Sequence, residues 1–180
     1  MNKIKVILIP GNGGATPQDG WFPYLEYELL KLGITVINKQ FPDPFLARQE
    51  FWLPFIKELG ANENTILIGY SSGAIAALRF AEKNKIFGTI LVSAYYTDLG
   101  DKNEKKSGYF NNQWDLQSIK NNQKWIIQFA SVDDPFIPIE EPRMLHKNLH
   151  TDYHEYQDQK HFGKLEFPEL IEVFKKKLNL

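Results

Sequence analysis

The chain has 180 residues, a net charge of −1 and no cysteine. The length predicts a single domain over residues 1–180 with a full hydrophobic core, and 43% hydrophobic residues are typical of a globular protein. The near-zero charge gives no reason to expect a nucleic acid or an anionic membrane as partner. Without cysteine, the chain has no disulfide, thiol nucleophile or cysteine-bound zinc.

The first half of the chain alternates apolar runs with amphipathic segments. Lys5 to Ile9 is typical of a strand buried on both faces of a parallel sheet. Its apolar run is too short for a membrane span and lacks a signal-peptide cleavage site, so we expect a cytoplasmic protein. Further on we predict a helix over Trp21 to Leu32, a strand over Ile34 to Ile37, a helix over Phe45 to Leu59 that Pro54 kinks or breaks, a strand over Ile66 to Ile68, and a helix over Ser72 to Asn84.

The second half continues the alternation after one polar interruption. We predict strands over Gly88 to Ala94, Trp125 to Ala130 and Tyr153 to Tyr156, and helices over Ile139 to Leu149 and Phe167 to Leu178. Tyr95 to Asn122 is polar and irregular, and it follows the end of a strand, where ligands bind in such sheets, so we expect a short lid there. The whole pattern predicts an α/β fold with about six parallel strands and helices on both faces.

Gly69-Tyr70-Ser71-Ser72-Gly73 stands between an apolar strand and a helix of small residues. The pattern G-x-S-x-G in this context is typical of a nucleophile elbow, the strained turn that presents a reactive serine in α/β-hydrolases. Gly69 and Gly73 leave room around the turn, and Ser71 is the candidate nucleophile. An ordinary tight turn is the alternative, because the five-residue pattern also occurs by chance.

Two backbone segments are candidates for an oxyanion hole, the pair of N–H groups that binds negative charge during acyl transfer. The N–H of Ser72 lies at the start of a helix, where the dipole favours an anion. The glycine-rich loop after the first strand offers the N–H of Asn12 or Gly13. A flexible connection is the other interpretation of this loop, and a phosphate loop is disfavoured because no Gly-Lys-Ser/Thr follows.

A serine nucleophile needs a base and an orienting acid, which follow in the order Ser, Asp or Glu, His in α/β-hydrolases. Of the four histidines, only His161 lies in a loop after the last predicted strand. His146 and His150 have the i, i+4 spacing of metal ligands but lack the glutamate of H-E-x-x-H, and we predict neither a metal nor another cofactor.

Asp134 is the candidate acid, because Asp134 to Pro138 fits the spacing of aspartate, aliphatic residue and proline common in this class. Asp133 is one residue out of register and is expected to orient the turn, while simple turn formation before Pro135 is the alternative for Asp134. The short separation from Ser71 to Asp134 leaves no room for a large cap domain.

Five aromatic residues are candidates for the substrate pocket, although each also fits a place in the core: Trp21, Tyr70, Tyr95, Phe136 and Phe162. Together they favour an apolar or aromatic acyl group.

Several stretches closely resemble the serine hydrolase family of retinoblastoma-binding protein 9 and its bacterial relatives. They include Pro10 to Gly14, Trp52 to Phe55, Gly69 to Ala77, Leu91 to Tyr95, Asp98 to Asp101, Ser107 to Phe110, Asp133 to Phe136 and His161-Phe162. The resemblance implies a capless α/β-hydrolase with Ser71, Asp134 and His161 as its triad, acting on small esters or amides, including aminoacyl esters. Tyr70 stands where relatives often have histidine. The Leu-x-Cys-x-Glu motif for the retinoblastoma protein is absent, so that partner is not expected.

The sequence therefore predicts a serine hydrolase whose partner is a small ester or amide substrate and whose reaction passes through an acyl-enzyme. One alternative is a hydrolase fold used as a protein-binding module with little turnover. Another is acyl transfer to an acceptor other than water.

Overall fold

The computed structural model describes residues 4–180, which form one six-stranded sheet in the order β2-β1-β3-β4-β5-β6. All neighbouring strands are parallel. The strands are β1 (Lys5–Ile9), β2 (Thr35–Asn38), β3 (Thr65–Tyr70), β4 (Gly88–Val92), β5 (Ile126–Ser131) and β6 (Asp152–Tyr156). Residues 1–3 of the predicted 1–180 domain lie outside the described residues, and the single-domain organisation stays a prediction.

Helices cover both faces of this sheet. They are α1 (Phe22–Lys31), α2 (Gln49–Glu58), α3 (Ser72–Ala81), α4 (Lys102–Ser107), α5 (Leu116–Asn121), α6 (Glu140–Leu149) and α7 (Pro168–Leu178). The predicted α/β fold is thereby confirmed. Within residues 4–180, none of the helices is both long enough and apolar enough to span a membrane.

The hydrophobic core has two halves because successive side chains of a strand point to opposite faces. Ile7 and Ile9 of β1 contribute to the half covered by α2, α3, α5 and α6. Val6 and Leu8 contribute to the half covered by α1 and α7. Strands that are apolar on both faces are what a parallel sheet buried on both faces requires.

The helix predicted over Phe45 to Leu59 is shorter and continuous. It begins at Gln49, because Asp43 and Ala47 have positive φ and the Asp43 carboxylate accepts hydrogen bonds from the backbone and side chain of Arg48. The predicted break at Pro54 is wrong, since α2 runs through that residue.

The 95–122 segment is not irregular as predicted, since it contains α4 and α5. Each of these six-residue helices begins at an aspartate cap: the Asp101 side chain accepts from two backbone N–H groups, and Asp115 accepts from one. Such caps satisfy N–H groups that a short helix otherwise leaves unpaired. The polar residues that made this segment resemble a loop therefore include the residues that start its helices.

Arg79 of α3 anchors the 95–122 segment. Its side chain is only 5% exposed, donates to the carbonyl of Asn112 at 2.7 Å and pairs with Glu82 at 2.6 Å. Its guanidinium also lies over the Trp114 ring, 3.8 Å from the ring centroid. The segment is thus fixed to the same helix that begins just after Ser71.

Gln128, in the middle of β5, fastens two other elements to the sheet. It is fully buried, donates to the carbonyl of Pro142 in α6 at 2.8 Å, and accepts from the Thr151 hydroxyl at 2.9 Å. Buried polar groups of this kind are costly to leave without partners.

We predict that Gln128→Leu destabilises the protein by about 1–3 kcal/mol, because the Pro142 carbonyl and the Thr151 hydroxyl lose a buried partner. Urea unfolding followed by circular dichroism measures the change. Gln117→Leu is the matched control, since Gln117 is exposed on α5 and a surface change of this kind stays within about 0.5 kcal/mol. Equal stability of the two variants would contradict the prediction.

Candidate active site

Ser71 occupies a strained turn between β3 and α3, with φ 53° and ψ −122°. Its N–H donates to the carbonyl of Val92 at 2.9 Å, which fixes the turn to β4. A Cβ at Gly69 would lie 2.6 Å from the Cα of Ala74, and one at Gly73 would lie 2.8 Å from the carbonyl carbon of Ile9. Both positions therefore require glycine, as expected for a nucleophile elbow.

Asp134 and His161 form a hydrogen-bonded pair. The Nδ1 atom of His161 lies 2.8 Å from Oδ2 and 3.0 Å from Oδ1 of Asp134. The Asp134 carboxylate also accepts from the backbone N–H groups of Phe136 and Ile137 and from the Ser93 hydroxyl, at 3.0–3.2 Å. Burial alone would raise the pKa of Asp134, but the hydrogen bonds outweigh it and the pKa lies below its usual value.

The Asp133 carboxylate makes a different set of hydrogen bonds from that of Asp134. Its Oδ1 accepts from the Ser131 hydroxyl at 2.6 Å and from the backbone N–H of Lys160 at 2.7 Å. It thereby joins the loop after β5 to the loop that carries His161. The structure thus brings Asp134, and not Asp133, to the imidazole.

The His161 ring lies between two aromatic rings. The Phe136 ring meets it edge-on with centroids 5.0 Å apart, and the Tyr70 ring lies 5.1 Å away. The Tyr70 hydroxyl donates to the backbone carbonyl of His161 at 2.7 Å. Burial and the nearby Asp134 charge raise the pKa of Tyr70, so its phenol remains a hydrogen-bond donor. These contacts tie His161 to Tyr70, at the end of β3, and to Phe136, in the loop after β5.

Ser71 and His161 line one cavity of about 500 Å³ at this edge of the sheet. Its volume is within the range of small-molecule sites. The other residues lining it are Gly11, Asn12, Ala15, Tyr70, Tyr95, Leu99, Asp101, Asn103, Glu104, Phe136 and Ile137.

The three predicted oxyanion residues, Ser72, Asn12 and Gly13, differ in whether their positions and N–H groups suit that role. Ser72 is the first residue of α3, so its N–H has no partner within the helix. Asn12 lines the cavity. Gly13 does not line it, and its N–H donates to the carbonyl of Phe45 at 3.2 Å, so the predicted role of Gly13 as an oxyanion donor is wrong.

Two of the five predicted pocket aromatics are wrong. Trp21 and Phe162 are each 1% exposed and belong to the core half under α1 and α7. Trp21 stacks on Phe22 at 4.4 Å, and Phe162 packs on Phe167 at 5.2 Å. Their large apolar rings are stabilised by full burial away from the cavity. The other three, Tyr70, Tyr95 and Phe136, do line the cavity.

Two residues at the site, Ser93 and Glu104, are not predicted from the sequence. Ser93 supports Asp134 from the end of β4, and Glu104 reaches the cavity from α4. Ser93 could have been predicted from its position directly after a strand, because side chains at the carboxyl ends of parallel strands meet at one edge of the sheet. Glu104 could not have been predicted in this way, because nothing in the sequence distinguishes it from the charged residues around it.

No cluster of three or more histidine, aspartate or glutamate side chains within residues 4–180 is arranged to hold a metal ion. The His146 ring instead faces the Thr151 hydroxyl at 3.1 Å and stacks on Tyr153. His150 is the left-handed residue that ends α6.

The six parallel strands and the turn at Ser71 place the chain in the α/β-hydrolase fold class. A family model described as "Serine hydrolase" matches residues 6–172, and the chain belongs to this family. It is 45% identical to the serine hydrolase RBBP9 of Rattus norvegicus, covering 97% of this chain and 95% of that protein. It is 30% identical to YdeN of Bacillus subtilis (strain 168), covering 88% and 86%.

The solved structures include the ydeN gene product from B. subtilis. It superposes with a TM-score of 0.88 at 27% identity, covering 99% of this chain and 100% of that chain. The protein is accordingly a hydrolase enzyme of the serine hydrolase family.

We predict that Gly69→Ala destabilises the protein by about 1–3 kcal/mol, since its Cβ would meet backbone atoms of α3 that cannot move independently. Thermal and urea unfolding measure the loss. Gly163→Ala is the control, because a Cβ there meets nothing within 4 Å. A Gly69→Ala protein as stable as the control would show that the helix does not press on the strand end.

Proposed function

We propose that the protein hydrolyses small carboxylic esters or amides through Ser71, Asp134 and His161, with an acyl-enzyme intermediate. The observation that carries the proposal is the Asp134–His161 pair, whose imidazole lines the same cavity as Ser71. Membership of the serine hydrolase family supports it. Nucleophile, base and orienting acid are the three groups that acyl transfer through serine needs.

Acylation begins when the Ser71 hydroxyl oxygen attacks the carbonyl carbon and its proton passes to Nε2 of His161. Asp134 accepts a hydrogen bond from the Nδ1–H group of the imidazole and stabilises the resulting imidazolium. The backbone N–H groups of Ser72 and Asn12 bind the oxyanion of the tetrahedral intermediate. As the intermediate collapses, His161 gives its proton to the departing alcohol or amine.

Deacylation repeats these steps with water as the nucleophile. His161 takes a proton from water, which attacks the acyl carbon, and the proton then returns to the oxygen of Ser71 as the acid is released. The pair of carboxylate and imidazole therefore serves both halves of the reaction.

The charges around the cavity favour neutral or cationic acyl groups. Asp101 and Glu104 are acidic, and neither lysine nor arginine is among the described residues that line the cavity. The Asp101 side chain is exposed at the start of α4. An α-ammonium group near it would gain a modest attraction, which supports aminoacyl esters as substrates.

Intact mass after treatment with a fluorophosphonate tests the proposed nucleophile. We expect a single adduct on the native protein and none on Ser71→Ala, because only an activated serine attacks the phosphorus atom. Ser118→Ala is the control, since its hydroxyl belongs to the cap of α5. A native protein that stays unlabelled, or an adduct retained in Ser71→Ala, would overturn the assignment.

We predict that His161→Ala lowers kcat for p-nitrophenyl acetate by at least about 10³-fold, because Ser71 loses its base. His150→Ala is the control, as this exposed residue ends α6 on another part of the surface. Steady-state rates at fixed pH measure both. Unchanged turnover in His161→Ala would remove this residue from the mechanism.

We also predict that an aminoacyl p-nitrophenyl ester is cleaved with a higher kcat/KM than its N-acetylated form. Asp101→Asn should reduce this preference about two- to fivefold, because an exposed ion pair contributes less than about 1 kcal/mol. Asparagine caps a helix as well as aspartate, so α4 is retained. A preference that is identical in the variant would assign no role to the Asp101 charge.

A further inference from the structure

Glu104 is a buried carboxylate beside the cavity that the proposed mechanism does not use. It is 7% exposed, although it belongs to the short surface helix α4. Its Oε1 accepts from the side-chain amide of Asn12 at 2.7 Å, and its Oε2 accepts from the Tyr95 hydroxyl at 2.7 Å. The Ser72 hydroxyl lies 3.5 Å from Oε1 and 3.1 Å from the Tyr95 hydroxyl.

These contacts join the two halves of the proposed oxyanion hole. Asn12 lies in the loop after β1, whereas Ser72 begins α3. The side chains of both residues converge on one carboxylate that comes from a third element. A shared partner of this kind fixes the distance between two loops whose backbone N–H groups must point to the same atom.

We propose that Glu104 is a positioning residue that holds the N–H groups of Asn12 and Ser72 at the separation that the oxyanion requires. This inference rests on the proposed function. Its basis is that one side chain, only 7% exposed, contacts both residues.

The hydrogen bonds of Glu104 suit a structural role. Both of its oxygens accept from protein donors at 2.7 Å, and the proposed mechanism already assigns proton transfer to His161. Burial raises the pKa of Glu104 and the Asp101 charge adds to it, while the hydrogen bonds from Tyr95, Asn12 and Ser72 oppose the rise. The proposed role therefore depends on the shape of the Glu104 side chain and on its hydrogen-bond acceptors.

Glutamine can replace these contacts. Its carbonyl oxygen accepts from the Asn12 amide, and its NH2 group donates to the Tyr95 hydroxyl, which then donates to Ser72. Alanine leaves the same three groups without a common partner. The two substitutions therefore separate loss of the network from loss of the charge.

The experiment compares kcat and KM for p-nitrophenyl acetate, together with the rate of fluorophosphonate labelling, in the full-length protein. We expect Glu104→Ala to lower kcat and the labelling rate about 10- to 100-fold with KM changed less than about twofold, because displaced donors are missed mainly in the transition state. Glu104→Gln should stay within about threefold of the native kcat.

Glu141→Ala is the matched control. The Glu141 carboxylate also accepts hydrogen bonds from the 95–122 segment, from the N–H groups of Tyr96 and Thr97, but it lies outside the cavity. Its loss should leave kcat within about threefold. An equal loss of kcat in Glu141→Ala and Glu104→Ala would show that any loosening of the 95–122 segment lowers kcat. That result would overturn the inference.

Asn12→Ala keeps the test decisive even if Glu104→Ala fails to fold. This variant removes the amide that contacts Glu104 and leaves the backbone N–H in place, and it should lower kcat about 10- to 100-fold. When Glu104→Ala does fold, the double variant should show little further loss, because residues that act through one contact are not additive. Native kcat in Asn12→Ala, or additive effects, would contradict the proposal.

The two proposals fail in different ways. A native protein that resists the fluorophosphonate refutes the serine mechanism itself. Normal labelling of the native protein with normal kcat in Glu104→Ala, or equal impairment in Glu104→Gln and Glu104→Ala, refutes only the positioning role.

Discussion

The close contact between the start of α3 and the ends of β1 and β3 is the constraint on which the site depends. Gly69 and Gly73 permit it, because any side chain at either position would meet backbone atoms. The contact forces Ser71 into its unusual conformation. It also places the N-terminus of α3 directly beside Ser71. A backbone that is held on both sides can keep a strained residue that would otherwise relax.

The Asp134–His161 pair depends on a second junction, between the loops that follow β5 and β6. The loops after β5 and β6 carry Asp134 and His161, and Asp133 links them through the backbone of Lys160. Ser93 supports Asp134 from the end of β4. The site is therefore assembled from several loops whose relative positions the parallel sheet determines, as is general for open α/β folds.

Features that depend on neighbouring residues in the chain could be predicted from the sequence. Features that depend on contacts between distant residues could not. The turn at Ser71 was predictable because its glycines and flanking elements are adjacent in the chain. Aromatic character alone does not tell which face of a sheet a ring joins, so Trp21 and Phe162 were assigned to the cavity although they are core residues. Glu104 resembled its charged neighbours, and only its distant partners Asn12 and Tyr95 explain its burial.

The anchoring of the 95–122 segment by Arg79 bears on how accessible the cavity is to water. Moving residues 112–114 away would take a carbonyl acceptor and the Trp114 ring from a nearly buried guanidinium, and a hydrogen bond to such a charged group is worth about 1.5–3 kcal/mol. These contacts oppose movement of residues 112–114, and the exposed ring of Phe136 lies beside His161 at the cavity. An ester intermediate of the kind proposed for Ser71 would form beside this exposed side of the cavity, where water is far more abundant than any other acyl acceptor.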